Sequence, residues 1–165
     1  MLFAIVLVLA TVLAWLLGRR PAAAADHARR GLAAAMVFAG LAHLLGPAPF
    51  VQHLPEWLPA RHALVYLSGV VEIGLGVALV APAARRVLAG RALAAYLLAV
   101  WPANAYVAVA GVDVEGQPGG AYPWLRLPFQ ALFIAWALWA TRARSAPAEA
   151  PGRAPAAVPA PVVGA

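Results

Sequence analysis

Apolar residues in this chain gather into five runs, separated by short breaks rich in arginine, proline and glycine. The runs are roughly Leu2 to Gly18, Leu32 to Gly46, Ala63 to Ala81, Val87 to Ala110 and Trp124 to Ala140. A helix crossing a hydrocarbon core of about 30 Å needs about 20 residues, with a range near 17 to 25, so the third, fourth and fifth runs have the length of a span. The first two are short. The second reaches span length by extending back through Arg30 and forward to Phe50, its arginines stretching to the headgroups on their long apolar stems. The pattern predicts an all-α polytopic membrane helical bundle. A transmembrane anchor is expected over 1–18, and a membrane core over 31–141 with spans at about 31–50, 63–82, 87–110 and 124–141. Beyond 145 the sequence turns Ala/Pro-rich, with no aromatic residue to anchor a core, and predicts a disordered tail over 145–165.

Composition agrees with this reading. The 165 residues are 64% hydrophobic and only 11% charged, against roughly 25% charged in a soluble domain. The net charge of +6 comes from twelve basic residues that are all arginine and are scattered in pairs between apolar runs. That distribution argues for membrane topology and against a nucleic-acid-binding face. Nothing basic precedes the first run and Arg19 with Arg20 follows it, the reverse of a secretory signal, so a retained anchor with its amino terminus outside is expected. Ten of the twelve arginines fall on one side of the resulting topology. Arg61 and Arg126, with Glu56, Asp113 and Glu115, fall on the other, which puts the carboxyl terminus in the cytoplasm. Trp57, Tyr122 and Trp124 would then lie at the outer interface, and Trp15, Trp136 and Trp139 at the inner one.

The candidate chemistry is in the polar residues that the spans retain. The second run carries His43, the third Ser68 and Glu72, the fourth Asn104 and Tyr106, and the fifth Arg126 and Gln130. Counted from Arg30, Arg85 and Arg91, the residues His43, Glu72 and Asn104 each lie 13 positions away, and Gln130 lies 12 from Arg142. At 1.5 Å per residue this predicts one polar layer, roughly 18 to 20 Å from the inner arginines. A charged carboxylate near mid-membrane costs at least about 2.5 kcal/mol, so Glu72 is expected to face the interior with a partner, Arg126 first and His43 second. Ser68, Glu72 and Gly76 recur at i, i+4 and i+8, with Gly40 one turn from His43, a spacing that allows close helix approach. Plainer roles compete: a proline kink at Pro102 served locally by Asn104 and Tyr106, an Arg126 that snorkels, and a His43 that only packs. The connection from Pro47 to His62 mixes apolar residues with prolines and reads as an interfacial anchor or as a gate over the polar layer.

The strings Gly40-Leu41-Ala42-His43, Pro55-Glu56-Trp57-Leu58-Pro59, Tyr66-Leu67-Ser68-Gly69-Val70-Val71-Glu72-Ile73-Gly74-Leu75-Gly76, Pro102-Ala103-Asn104-Ala105-Tyr106 and Arg126-Leu127-Pro128-Phe129-Gln130 resemble the DoxX-like family of small bacterial membrane proteins. The resemblance runs from about Gly31 to Thr141. It implies a four-helix core with both ends cytoplasmic, to which the first helix and the tail are additions, in a bacterial inner membrane. It also implies protein partners, since some relatives are membrane subunits linked to quinone-dependent sulfur oxidation or to redox-stress complexes. Membership of this kind speaks to fold more than to reaction.

Three classes of function stay open on the sequence. The chain is a membrane component of a redox system that binds a quinone or another lipophilic small molecule through Glu72, His43 and Arg126. It is otherwise a structural or assembly subunit whose polar layer locks helix packing, or a small proton-coupled transporter built on Glu72. With no cysteine, thiolate metal sites, iron–sulfur clusters and disulfide exchange are excluded. Only His43 lies within a predicted span, so bis-histidine haem is not expected, and the spacing of His43, His53 and His62 matches no compact metal motif.

Overall fold

The computed structural model describes residues 2–16 and 24–142, all helix and connection with no strand among them. Six helices follow in order: α1 (Leu2–Leu16), α2 (Ala24–Leu45), α3 (Ala48–Val51), α4 (Arg61–Leu79), α5 (Ala83–Ala110) and α6 (Tyr122–Thr141). Arg19, Arg20 and the tail expected over 145–165 lie outside the described residues.

Helix limits depart from the apolar runs at identifiable residues. The span expected over 31–50 instead begins at Ala24 and stops at Leu45. Gly46 and Pro47 end it, because proline has no N–H to continue the ladder and its ring disfavours helix in the residue before it. The chain restarts as the single turn α3, with Pro47 at its cap. Because α2 starts early, Arg29 and Arg30 are helical rather than in a loop. The Arg29 guanidinium donates to the carbonyl of Leu79, the last residue of α4, satisfying one of the acceptors that every helix leaves open at that end. Likewise α5 starts at Ala83, directly after Pro82, so Arg85 and Arg86 lie on the helix rather than before it. Asp26 sits 3.4 Å from Arg29 and 3.6 Å from Arg86, fastening α2 to the start of α5.

Among the described residues, three helices are long and apolar enough to cross a membrane: Ala24–Leu45, Arg61–Leu79 and Ala84–Ala110. Helix α1 has 15 residues, and the apolar run of α6 is interrupted by Pro123, Arg126, Pro128 and Gln130. The five-span expectation is therefore met by three helices. The outward surface suits hydrocarbon, with Leu9, Leu13, Leu67, Val70, Val77, Leu98, Val109 and Leu132 all exposed.

Packing makes two tight assemblies. One consists of α1, α2 and α4, the other of α5 against α6, and they meet where α2 touches α6 and α4 touches α5. Their shared core holds Leu7, Leu32, Ala35, Met36, Leu79, Leu93 and Ala137. Glycine sets the closeness within each assembly. A β-carbon on Gly40 would lie 2.5 Å from the Gly69 carbonyl oxygen, and one on Gly69 would lie 2.8 Å from that of Gly40. The α2 and α4 backbones therefore touch, the arrangement favoured in lipid, where helices gain little from hiding apolar surface and depend on close packing. Gly31 against Thr11 and Gly90 against Thr141 do the same for α1–α2 and α5–α6. Across the junction of the assemblies, Trp136 Nε1 donates to the Ala28 carbonyl at 3.3 Å, and Phe3 meets Phe133 edge-on at 4.9 Å.

Candidate functional site

Polar side chains in the helices form two groups rather than one layer. The first is built on Glu72, 8% exposed on α4. Its Oε1 accepts a hydrogen bond from the Tyr96 hydroxyl of α5 at 2.9 Å. Its Oε2 lies 2.9 Å from Nδ1 of His43 on α2. That nitrogen is also 2.8 Å from the carbonyl of Ala39, one turn back on the same helix. One ring N–H cannot point at both acceptors. The aligned bond goes to Ala39, which leaves Oε2 buried beside the imidazole with no donor directed at it. The Gly40–Gly69 contact explains the proximity, since a side chain on Gly69 would begin 2.9 Å from His43 Cβ. Ser68, one turn along α4, donates to the Val65 carbonyl at 2.7 Å. Phe50 of α3 lies flat on the other side of His43, ring centroids 3.8 Å apart and planes 26° from parallel.

The second group is built on Arg126, in the first turns of α6. Nη1 donates to Gln117 Oε1 at 2.6 Å and lies 2.8 Å from His53 Nε2, while Nη2 donates to Asn104 Oδ1 of α5 at 2.9 Å. The guanidinium also sits 5.7 Å from the centre of the Tyr122 ring. His53 Nδ1 is 2.8 Å from the Pro49 carbonyl. A carbonyl only accepts, so Nδ1 carries the hydrogen, and Nε2 offers its lone pair to Arg126. Burial, and then the neighbouring Arg126 charge, disfavour a second proton and push the His53 pKa down to about 4. Beside this contact, Gln52 Oε1 accepts from the backbone N–H of Glu115 at 2.8 Å.

Of the residues singled out by sequence, His43, Ser68 and Glu72 come together, and Asn104 and Arg126 come together in the other group. Gln130 joins neither. It donates to the Leu97 carbonyl at 2.6 Å, across α5 and α6, next to the carbonyl of Leu98 whose helical donor Pro102 cannot supply. Tyr106 is half-buried and is not hydrogen-bonded to either group. The expected Glu72–Arg126 pair does not form; the second-ranked partner, His43, takes the place. The single layer failed because Arg85 and Arg91 are poor depth markers. Measured from Arg86 at the start of α5, Asn104 is 18 residues along, roughly 27 Å. Tyr96 is 10 residues along and reaches Glu72 with its long side chain. Sequence reasoning missed Tyr96, His53 and Gln117; a tyrosine inside an apolar run was the available signal for the first. Two hollows occur elsewhere, one of about 350 Å³ lined by Val107, Asp113, Gln117 and Trp124, the other of about 490 Å³ along Arg30, Val37, Leu41 and Val77. Neither is lined by His43, Glu72 or Tyr96.

Residues 32–141 match the family described as "Domain of unknown function (DUF8561)". The chain belongs to the DUF8561 family. The DUF8561 match covers most of α2 and all of α3 to α6, so it contains every member of both polar groups, while α1 lies before it. No curated protein and no solved structure matches the chain.

Proposed function

We propose that this DUF8561 chain is a multi-pass membrane subunit associated with a redox system, binding the polar head of a quinone or similar lipophilic molecule at His43, Glu72 and Tyr96. The observation that carries the reading is Glu72 Oε2. It is a buried acceptor with no aligned donor, held between an imidazole and a carboxylate–phenol bond at the junction of three helices. A passive packing residue would be expected to have its acceptors filled, since leaving one bare costs about 1–3 kcal/mol. A quinone, when bound, carries electrons and protons together. The three side chains supply what the reduced head needs: Glu72 Oε2 as an acceptor for its O–H, His43 as a group that can take or give a proton, and Tyr96, whose own O–H goes to Glu72 Oε1, to hold the carboxylate in place.

The remaining parts of the reading rest on sequence. The resemblance to DoxX-like proteins favours a redox complex with protein partners and a bacterial inner membrane. The arginine distribution favours five spans with the amino terminus outside. The antiparallel pairing of α6 along α5, from Arg126–Asn104 to Thr141–Gly90, supports counting α6 as a span and the four helices α2, α4, α5 and α6 as the core.

A second reading, an assembly subunit without a ligand, is favoured by the burial of Glu72 against side chains of two neighbouring helices. Purification from native membranes, solvent extraction and mass spectrometry separates them. The redox reading expects a lipophilic redox molecule to travel with the wild-type chain and to be lost from Glu72→Gln at unchanged helicity; a wild-type chain that comes out empty supports the assembly reading.

A further inference from the structure

The connection between α2 and α4, residues 46–60, is joined to the rest of the molecule at two levels. Nearer the helices, Phe50 covers the face of His43. Farther along, the connection is tied to the other assembly, where His53 meets Arg126 and Gln117, and Gln52 takes the Glu115 N–H. Val51 and His53 are buried at 8% and 6% exposure, so this stretch is packed down rather than draped over the surface. Trp57, by contrast, is 80% exposed.

We propose that residues 46–54 form a lid over the His43–Glu72–Tyr96 group, latched by the Arg126–His53 contact, and that release of the latch lifts Phe50 and opens the group. The proposal rests on the functional reading of that group given above. The latch has a definite polarity. Arg126 donates and His53 Nε2 accepts, and the reverse arrangement is impossible because an arginine has no acceptor. A proton on Nε2 would set two donors, both cationic, 2.8 Å apart, while the Gln117 atom beside Nε2 is its amide nitrogen, itself a donor, and the Gln117 oxygen already accepts from Arg126. The acids of the connection packed against this stretch, Asp113 and Glu115, are exposed, and the charged or titratable groups acting on His53 are Arg126 from α6 and His43 from α2. Neither is an acid, so protonated His53 has no counter-charge and the latch opens. Acid on the His53 side of the membrane is therefore the natural trigger. Asn104 keeps hold of Nη2 throughout, so Arg126 stays on the α5–α6 side when the lid leaves.

The test reads the lid without any ligand. Diethyl pyrocarbonate modifies unprotonated histidines, and peptide-resolved mass spectrometry gives the rate at each. The exposed His62 is the internal reference for reagent and pH. In the full chain at pH 7.5, His43 should react far more slowly than His62. His53→Lys, which puts a fixed cation opposite Arg126, should raise the His43 to His62 ratio several-fold, as should Phe50→Ala. His53→Gln, whose amide oxygen can still accept from Arg126, should keep the ratio low. Helicity and elution volume, checked in parallel, separate lid opening from unfolding. Equal rates at His43 and His62 in the wild type, or a folded His53→Lys with an unchanged ratio, would overturn the lid. A chain that purifies without a ligand but shows the expected ratios would overturn the redox reading alone.

Discussion

The two polar groups solve the same problem, burying a charge-bearing side chain in an apolar bundle, in opposite ways. Arg126 is surrounded by neutral acceptors, a histidine lone pair, two amide oxygens and an aromatic face, so its donors are used while its charge is left uncompensated. Glu72 is surrounded by groups that can themselves titrate, and one of its oxygens has no directed donor. The first environment matches donors to acceptors; the second leaves an acceptor open. That is the physical difference between a fastening and a site.

The comparison breaks most visibly through the backbone contact that creates the acid group. Gly69→Leu must push α4 from α2, and overpacking of this kind is expected to cost about 3 kcal/mol or more, read as a large fall in melting temperature in detergent. The Arg126 group, seated on α5 and α6, should keep its His53 contact in any folded fraction.

The pH dependence of stability should come from the arginine group. Unfolded, His53 titrates near its ordinary value of about 6.5; folded, it resists protonation down to about 4. Between those values the unfolded chain binds more protons, so stability is full above about pH 6.5 and falls as the pH drops toward 4, by up to about 3 kcal/mol. His53→Gln should flatten that slope in chemical or thermal unfolding at pH 7 and pH 5. A wild-type curve level across this window would remove the distinction between the two groups.

Smaller effects sharpen the contrast from the acid side. Glu72→Leu leaves the Tyr96 hydroxyl buried without an acceptor and should cost about 2 kcal/mol, whereas Glu72→Gln keeps an oxygen for it and should cost under about 1 kcal/mol. Tyr96→Phe should fall between the two, at about 1 kcal/mol. A double-mutant cycle between positions 72 and 96 should give a coupling near that value, and one between 72 and 126 a coupling near zero.

What the sequence disclosed followed from what its signals measure. The apolar runs located five of the six helices, because hydrocarbon length and hydrophobicity are summed over many residues. Their ends were set by single residues such as Pro47 and Pro82, and two arginine pairs expected in connections proved helical. The small residues around Glu72 and His43 correctly announced close approach, since only glycine allows backbones to touch. Partner choice was not legible. Arg126 was a reasonable mate for Glu72 on charge alone, but pairing depends on where each helix begins, and an offset of a few residues in α5 moved Asn104 and Arg126 away and brought Tyr96 in. His53 was assigned to a surface connection because nothing in the sequence says that the chain folds back onto α6.

The Tyr96–Glu72 bond crosses the line where the α1–α2–α4 block meets the α5–α6 block. It is one of a handful of cross-links between two bodies that are each far more firmly built than their joint. A slight pivot of one block against the other would stretch this link before it disturbed either interior. The carboxylate is therefore placed to register relative motion of the blocks, as a gauge glued across a crack registers its widening.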